Sequence, residues 1–164
     1  MDRSVVFEVA TKVLARLLLP AAKVRRPRAA HHLAAQWALG LRFPRESLEG
    51  LRPQTRRAFE AARAEAFWRD GQLIGLTSGH RDAAEQHRLC QELGSRVLPP
   101  GQSEHVRGMA LDVRPTEGAR WLELHGDRWN LFSRYDNEPW HFELAATRPA
   151  RQPRPGAAPV RRPC

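Results

Sequence analysis

Cysteine is scarce in this sequence, with only Cys90 and the C-terminal Cys164 among 164 residues. The two are far apart and form no closely spaced pair, so they provide no disulfide framework. Cys90 falls in a predicted helix, where we expect it to be buried as a small hydrophobic residue. A disulfide between Cys90 and the terminus is the less favoured alternative. The cysteines therefore say little about the redox compartment.

Long hydrophobic runs are also absent, and no segment approaches the ~20 apolar residues that a membrane-spanning helix needs. Residues 4–19 come nearest, because their apolar positions recur with nearly helical spacing. Charged residues interrupt this run and a basic cluster follows it, whereas a secretory signal has its basic residues first. We predict an amphipathic helix that packs on the domain or on a surface and ends at Pro20. A signal-anchor is the alternative.

Acidic residues are lacking at both ends of the chain, and this accounts for its net charge of +9. Residues 1–30 carry seven basic and two acidic side chains, and residues 148–164 carry five arginines and no acid. Residues 31–147 hold fifteen arginines against sixteen acids, so this region offers no basic face for specific nucleic-acid binding. The basic ends could contact anionic polymers or lipid head groups. A coding bias towards arginine is the alternative explanation.

The remaining pattern predicts a mixture of helices and strands. Residues 21–52 contain Pro27, Gly40 and Pro44, and we expect them to be irregular, with His31 and His32 exposed. Helices are predicted over 53–70, 82–93 and 116–125, and strands over 73–78, 109–113, 129–132 and 140–144. This order predicts an α+β fold, with helices packed on one side of a small, mostly antiparallel sheet.

The chain divides into three predicted regions. Residues 1–49 form the amphipathic helix and an irregular basic segment, and residues 50–147 form the globular domain. Residues 148–164 are rich in Arg, Pro and Ala without periodicity. Such a segment cannot bury enough apolar surface to order itself, so we predict a disordered tail.

Two segments of the globular domain carry residues that bind metals. Residues 103–113 read Ser-Glu-His-Val-Arg-Gly-Met-Ala-Leu-Asp-Val, and residues 138–143 read Glu-Pro-Trp-His-Phe-Glu. Asp112 lies in an otherwise apolar strand, where a carboxylate needs a partner such as a metal or an arginine. A lone histidine in such a strand is more often a hydrogen-bonded core residue. Together, however, His105, Asp112 and His141 supply two imidazoles and one carboxylate, which is a catalytic zinc shell with an open fourth position. We predict that they bind Zn²⁺ on the sheet.

Two carboxylates flank the second histidine. Glu138 precedes His141 by three residues and is placed to take a proton from a metal-bound water. A surface carboxylate in a loop is the alternative. Glu143 shares the side of the strand that His141 occupies, so it could orient that ligand. Exposure of Glu143 to solvent is equally compatible with the spacing.

These motifs resemble those of the VanY-type zinc D-alanyl-D-alanine carboxypeptidases. The resemblance rests on Ser-x-His-x-x-Gly-x-Ala-x-Asp at 103–112 and Glu-Pro-Trp-His at 138–141, with Ser-Gly-His-Arg at 78–81 and Gln86 resembling the upstream family motif. It covers about residues 50–145. It implies the fold shared with lysostaphin-type peptidases and the Hedgehog signalling domain, with His105, Asp112 and His141 as zinc ligands and Glu138 as the base. It also implies that Arg81 holds the substrate carboxylate and polarises the region of the scissile carbonyl, with Ser103 and Gln86 near the substrate.

The resemblance implies a zinc peptidase that cleaves peptidoglycan stem peptides, most simply as a D-alanyl-D-alanine carboxypeptidase. The alternatives are an endopeptidase that cuts L-alanyl–D-glutamate or cross-bridge bonds, a VanX-like dipeptidase, and an inactive zinc-stabilised binding domain. We expect a monomer. His80 stands where the family usually has Tyr or Trp, and the loop 94–100 is short, which predicts a more open cleft. The substrate implies the cell envelope or the exterior, although the sequence shows no clear signal peptide.

Overall fold

The computed structural model of the chain describes residues 3–153. Five α-helices span these residues: α1 Arg3–Arg25, α2 Ala30–Arg42, α3 Pro53–Asp70, α4 Ala83–Leu93 and α5 Thr116–His125. The strands are β1 Gly75–Ser78, β2 Ala110–Arg114, β3 Leu131–Ser133 and β4 His141–Leu144. No helix among residues 3–153 combines the length and the apolarity that crossing a bilayer requires.

The four strands form one antiparallel sheet in the order β1-β2-β4-β3. Because side chains alternate along a strand, one face of the sheet is apolar and packs against α3 and α5. The main core comprises Phe59 of α3, Trp121 and Leu122 of α5, and the strand residues Leu76, Leu111, Val113, Leu131 and Phe142. The predicted α+β class with a small antiparallel sheet is confirmed.

The helices α3, α4 and α5 begin and end where the sequence predicts. Pro53 occupies the first turn of α3, and Gly71 ends that helix with a left-handed φ of 65°. The Asp82 side chain caps α4 by accepting a hydrogen bond from the Glu85 backbone N–H at 2.7 Å. Cys90 of α4 is buried, as expected. The alternative, a disulfide between Cys90 and Cys164, involves a residue that lies outside the described residues.

The prediction that residues 21–52 are irregular is wrong for α2. The alanine-rich run has high helix propensity, and it places Ala34, Ala35, Ala38 and Leu39 on one buried face. Gly40 lies in the last turn of α2, where its low helix propensity costs only about 1 kcal/mol and does not end the helix. His31 is exposed as expected, whereas His32 is half-buried.

The prediction that α1 ends at Pro20 is also wrong, since the helix continues to Arg25. Proline removes one backbone hydrogen bond from a helix interior. Pro20 lies on the exposed side, where water can satisfy the freed carbonyl group, and Ala22 packs into the core in the following turn. Tertiary packing therefore carries the helix past its proline.

The segment between α2 and α3 is joined to the sheet by a buried ion pair. The Arg63 guanidinium of α3 lies 2.6 Å from the Glu46 carboxylate, and both side chains are less than a tenth exposed. The second Glu46 oxygen accepts a hydrogen bond from the Leu76 backbone N–H of β1 at 3.1 Å. Phe43 packs with Phe67 of α3 in the same layer. Residues 43–46 thus contact both α3 and the edge of the sheet.

The beginning of the predicted disordered tail runs along the domain. Gln152 forms an isolated parallel bridge with Tyr135. Arg151 lies 2.7 Å from the Glu123 carboxylate and 3.1 Å from Asp136. The rest of the predicted tail, residues 154–164, lies outside the described residues.

Candidate metal centre

Three predicted ligands meet on the face of the sheet opposite the core. His105 Nε2 lies 3.3 Å from Asp112 Oδ1, His141 Nδ1 lies 3.0 Å from the same oxygen, and the two ring nitrogens are 3.3 Å apart. Four ligands at zinc distances of about 2.0–2.1 Å in a tetrahedron are separated by about 3.3 Å. The three atoms therefore already stand near the corners of such a tetrahedron and could hold a metal ion.

The register of the sheet brings two of these ligands together. Asp112 of β2 pairs directly with His141 of β4, so both side chains project from the same face. The alternation that buries Leu111 and Phe142 against the helices directs Asp112 and His141 away from them. The residue pattern of the two strands thus determines which face carries the site.

His105 reaches the same point from the loop before β2. A tight turn returns the chain at Gly108, whose backbone N–H donates to the His105 carbonyl at 3.1 Å. Gly108 has a φ of 67°, and a Cβ there would lie 2.6 Å from the Gly50 carbonyl oxygen. Glycine is required by both the backbone conformation and the close approach.

The histidine tautomers favour metal binding through the converging nitrogens. His105 Nδ1 lies 2.6 Å from the Gly79 carbonyl, which can only accept, so Nδ1 carries the proton and Nε2 is left as the ligand. His141 Nε2 lies 3.2 Å from Glu143 Oε1, which leaves Nδ1 directed at the centre. Glu143 therefore takes the orienting position that the sequence left open.

The ligands are electrostatically coupled. Burial opposes the charged form of Asp112, but its interactions with the His105 and His141 imidazoles outweigh burial and hold the pKa of this carboxyl well below its usual range. Burial likewise opposes protonation of His141, yet Asp112 and Glu143 raise the pKa of its imidazole to about 9. Asp112 and Glu143 thus place negative charge on either side of the His141 ring, and a metal ion at the point of convergence would take the place of protons held by the imidazoles.

Arg81 borders the metal ligands and is held by three side chains. Its Nη2 donates to Asp112 Oδ2 at 2.8 Å, its Nη1 to Gln86 Oε1 at 3.1 Å, and its Nε to Ser78 Oγ at 3.0 Å. Gln86, which is 2% exposed, also donates to the Leu98 carbonyl at 2.7 Å. A guanidinium has five N–H donors, so Arg81 keeps further donors for a ligand. Gln86 contacts Arg81 within the pocket.

A cavity of about 320 Å³ opens over these groups. Ser103 and Glu138 line it together with the three metal ligands and Arg81. One wall is apolar and is made by Leu89, Leu93, Val97 and Leu98. His80 is not among the lining residues; its exposed ring lies over Gly50, where a Cβ would meet its Nδ1 at 2.3 Å. The proposed metal ligands, the proposed base Glu138 and the proposed carboxylate-binding residue Arg81 therefore all line one cavity, whereas His80 does not.

Sequence reasoning missed Tyr135, which lines the cavity beside His141 with 5.2 Å between ring centroids. Burial and the nearby Glu143 carboxylate raise the pKa of this phenol to about 12, so it stays protonated and can donate a hydrogen bond. It is the only tyrosine in the chain, six residues before His141. Its closeness to His141 in the sequence was the one feature that could have drawn attention to Tyr135. Its position in the cavity could not be foreseen, because it depends on the turn between β3 and β4.

Two curated relatives are similar in sequence to this chain. A D-alanyl-D-alanine carboxypeptidase of Enterococcus faecium is 36% identical over 86 residues, covering 41% of this chain and 28% of the relative. A D-alanyl-D-alanine carboxypeptidase of Enterococcus faecalis is 27% identical over 125 residues, covering 55% of this chain and 45% of the relative. The chain thus spans less than half the length of the curated relatives it matches. No family model matches it.

Two solved structures share the fold. One is the vancomycin resistance D,D-pentapeptidase VanY from a VanB-type cassette in complex with Zn(II), with a TM-score of 0.53 and 22% identity over 60% of this chain and 76% of that one. The other is VanYB in complex with D-Alanine-D-Alanine, with a TM-score of 0.52 and 23% identity over 57% of this chain and 71% of that one.

The fold and site define the class of α+β domains that carry a His-Asp-His cluster on the open face of a small antiparallel sheet. Within this class, the chain is similar in sequence to two D-alanyl-D-alanine carboxypeptidases and similar in fold to VanY structures. The resemblance found in the sequence motifs is thereby confirmed.

Proposed function

We propose that the chain is a zinc-dependent D-alanyl-D-alanine carboxypeptidase that removes the terminal residue from peptidoglycan stem peptides. His105, Asp112 and His141 bind the zinc ion, Glu138 is the general base, and Arg81 binds the substrate carboxylate. The observation that carries the proposal is the near-tetrahedral spacing of the three ligand atoms, at 3.0–3.3 Å, beside an arginine and a glutamate in one cavity.

The relatives support the same assignment. The curated relatives are named D-alanyl-D-alanine carboxypeptidases, one structural neighbour holds Zn(II), and another holds D-Alanine-D-Alanine. The donor set also fits, since two imidazoles and one carboxylate are a common catalytic zinc shell. We base three proposals for this chain on the relatives and the donor set together: that the metal is zinc, that the substrate is a peptidoglycan peptide, and that the residues have the roles given above.

The residues divide the work of hydrolysis among them. When bound, zinc supplies a Lewis acid and lowers the pKa of a water ligand to about 7. Glu138 accepts the proton of the attacking water as the C–O bond forms, and returns it to the amine nitrogen as the C–N bond breaks. Arg81 fixes the terminal carboxylate with its remaining N–H donors. The Tyr135 hydroxyl lies at the same cavity and donates a hydrogen bond to the developing oxyanion.

The test is incubation of the zinc-loaded full chain with a pentapeptide muropeptide, followed by mass analysis. Release of the terminal D-alanine is expected. Internal cuts would instead indicate that the chain is an endopeptidase. Uncleaved substrate in a sample that contains zinc would indicate an inactive, zinc-stabilised binding domain. Metal analysis of the same sample should find one zinc per chain.

Two variants separate metal binding from catalysis. His141→Ala should lose the zinc, because it removes one of the three ligands. Glu138→Gln should keep the zinc and lose about 10²–10⁴-fold in kcat, the usual contribution of a general base. Unchanged turnover in Glu138→Gln would remove this residue from the mechanism while leaving the metal site intact.

A further inference from the structure

Helix α1 turns several large apolar side chains outward. Val6, Val9, Val13, Leu17 and Val24 are between 42% and 88% exposed, and their spacing of three, four, four and seven residues places them on one side of the helix. The side that faces the domain buries Thr11, Ala15 and Ala22, which are at most 6% exposed. On the same side Leu14, Leu18 and Leu19 pack, partly buried, against the core. The five outward residues are called the α1 stripe below.

Apolar exposure is concentrated on this part of the molecule. Seven of the eleven large hydrophobic residues that are exposed among the described residues belong to α1. Phe7 and Leu41, which are 56% and 68% exposed, lie together in a shallow depression between α1 and α2 and widen the apolar surface. Scattered exposed apolar residues are normal, whereas a continuous group of this kind marks an interaction surface.

Basic residues cluster at the C-terminal end of the stripe. Lys23, Arg25, Arg26 and Arg28 are all exposed, and none forms an ion pair with another residue in the range 3–153. The described acidic residue of α1, Glu8, is paired with Lys12 of the next turn. The partner of this surface must therefore accept apolar side chains and balance positive charge.

We propose that the α1 stripe and its basic end bind an anionic lipid bilayer, with α1 lying in the plane of the interface. From Val6 to Val24 the stripe is ~27 Å long, at 1.5 Å per residue. An apolar helix side with adjacent Lys and Arg residues is the arrangement by which helices bind anionic membrane surfaces. A second copy of the chain fits less well, because neither a parallel nor an antiparallel pairing of two α1 helices would place an unpaired acidic residue of the described part of α1 opposite the basic end.

This inference does not depend on the proposed peptidase activity. It concerns a surface that contributes no residue to the cavity over the metal ligands. It also explains why α1 has valine and leucine on its outer side, separate from Ala15, Leu18 and Ala22, which help to pack the helix on the domain.

The experiment is co-sedimentation of the full chain with vesicles of phosphatidylglycerol and phosphatidylcholine in equal parts, compared with vesicles of phosphatidylcholine alone. The unaltered chain should bind the mixed vesicles, bind the neutral ones far less, and be released by salt. The double variant Val13→Glu and Leu17→Glu should bind the mixed vesicles at least about tenfold more weakly. Changing Lys23, Arg25, Arg26 and Arg28 to Gln should remove the preference for anionic lipid.

The matched control is Leu124→Glu, since Leu124 is 74% exposed but lies on α5, away from the stripe. It should bind like the unaltered chain, and circular dichroism should show all variants folded. Equal binding of the double variant and the control would overturn the proposal, as would equal binding of the unaltered chain to both vesicles. Loss of a dimer in the double variant, with no vesicle binding by the unaltered chain, would assign the stripe to a second copy and also overturn it.

Discussion

The two carboxylate oxygens of Asp112 contact different groups. Oδ1 lies against both histidines, at 3.0 Å and 3.3 Å, and Oδ2 accepts from Arg81 at 2.8 Å. A carboxylate in an apolar strand needs compensation, and the sequence offered a metal or an arginine as alternatives. The structure supplies the arginine at Oδ2 and places Oδ1 beside two imidazoles, where a metal ion could bind. Arg81 therefore contacts a candidate metal ligand and lines the cavity at once.

The residues of the candidate metal site could be predicted because coordination chemistry restricts metal ligands to a few residue types. His, Asp and Glu in short motifs were visible in the sequence, and so was the arginine of the upstream motif. The contacts that hold Arg81, from Ser78 and Gln86, and the place of Tyr135 could not be predicted. They depend on how α4 and the β3–β4 turn lie around the sheet, which no local pattern specifies.

Replacing Arg81 with lysine should impair substrate binding more than metal binding. Lysine keeps the charge but cannot contact Ser78, Gln86 and Asp112 and also bind a carboxylate in a bidentate manner. We expect kcat/KM for a peptide with a free terminal carboxylate to fall about 10²-fold. A peptide with an amidated terminus serves as the control. Equal losses on both peptides would show that Arg81 does not recognise the carboxylate.

Replacing Glu143 with glutamine should weaken metal binding. The carboxylate lies 3.2 Å from His141 Nε2, and loss of such an orienting partner typically costs 10–100-fold in metal affinity. A competition titration with a chelator measures the zinc affinity. Glu123→Gln is the matched control, since Glu123 pairs with Arg151 at the surface. The orienting role would be wrong if both variants bound zinc as tightly as the unaltered chain.

At the scale of elements, the sequence predicted helix ends best where a capping residue or a helix-breaking residue acts through its own backbone hydrogen bonds. Pro53, Gly71, Asp82 and Gly94 mark the ends of α3 and α4 because they supply or remove specific backbone hydrogen bonds. The same reasoning failed at Pro20 and Gly40, where packing of α1 and α2 outweighs the local cost. In this chain, therefore, proline and glycine end a helix only where the residues that follow do not pack their apolar side chains on the domain.

The turn between His105 and β2 depends on Gly108, and alanine there should destabilise the fold and the site together. The positive φ costs about 1–3 kcal/mol for a residue with a side chain, and the added Cβ would clash with the Gly50 carbonyl at 2.6 Å. Urea unfolding measures the lost free energy, and chelator competition measures the zinc affinity. Gly101→Ala is the matched control, because nothing lies within 4 Å of its Cβ position and its φ is not positive. Equal stability of the two variants would contradict the assigned role.

For the whole molecule, the sequence suggested a boundary near residue 50, between an N-terminal segment and the domain that carries the site. The structure shows contacts across that point. Phe43 packs with Phe67, Glu46 pairs with Arg63, and a Glu46 oxygen accepts from the edge strand at Leu76. Such long-range contacts leave no local pattern in the sequence, because the partners are far apart along the chain, and Glu46 and Arg63 each resemble an ordinary surface residue. We infer that residues 30–49 fold together with the sheet.

The Glu46–Arg63 pair provides the sharpest test of that inference. Glu46→Ala would leave the Arg63 guanidinium buried without its carboxylate and the Leu76 N–H without its acceptor. Breaking a buried pair from one side costs about 3–5 kcal/mol, so urea unfolding should show a loss of that size in one cooperative transition. Glu49→Ala, at an exposed position in the same segment, should change stability by no more than about 0.5 kcal/mol. Adding Arg63→Met to Glu46→Ala should recover part of the loss, because it removes the unpaired charge. Two separate unfolding transitions, or equal effects at positions 46 and 49, would show instead that the N-terminal segment folds apart from the domain.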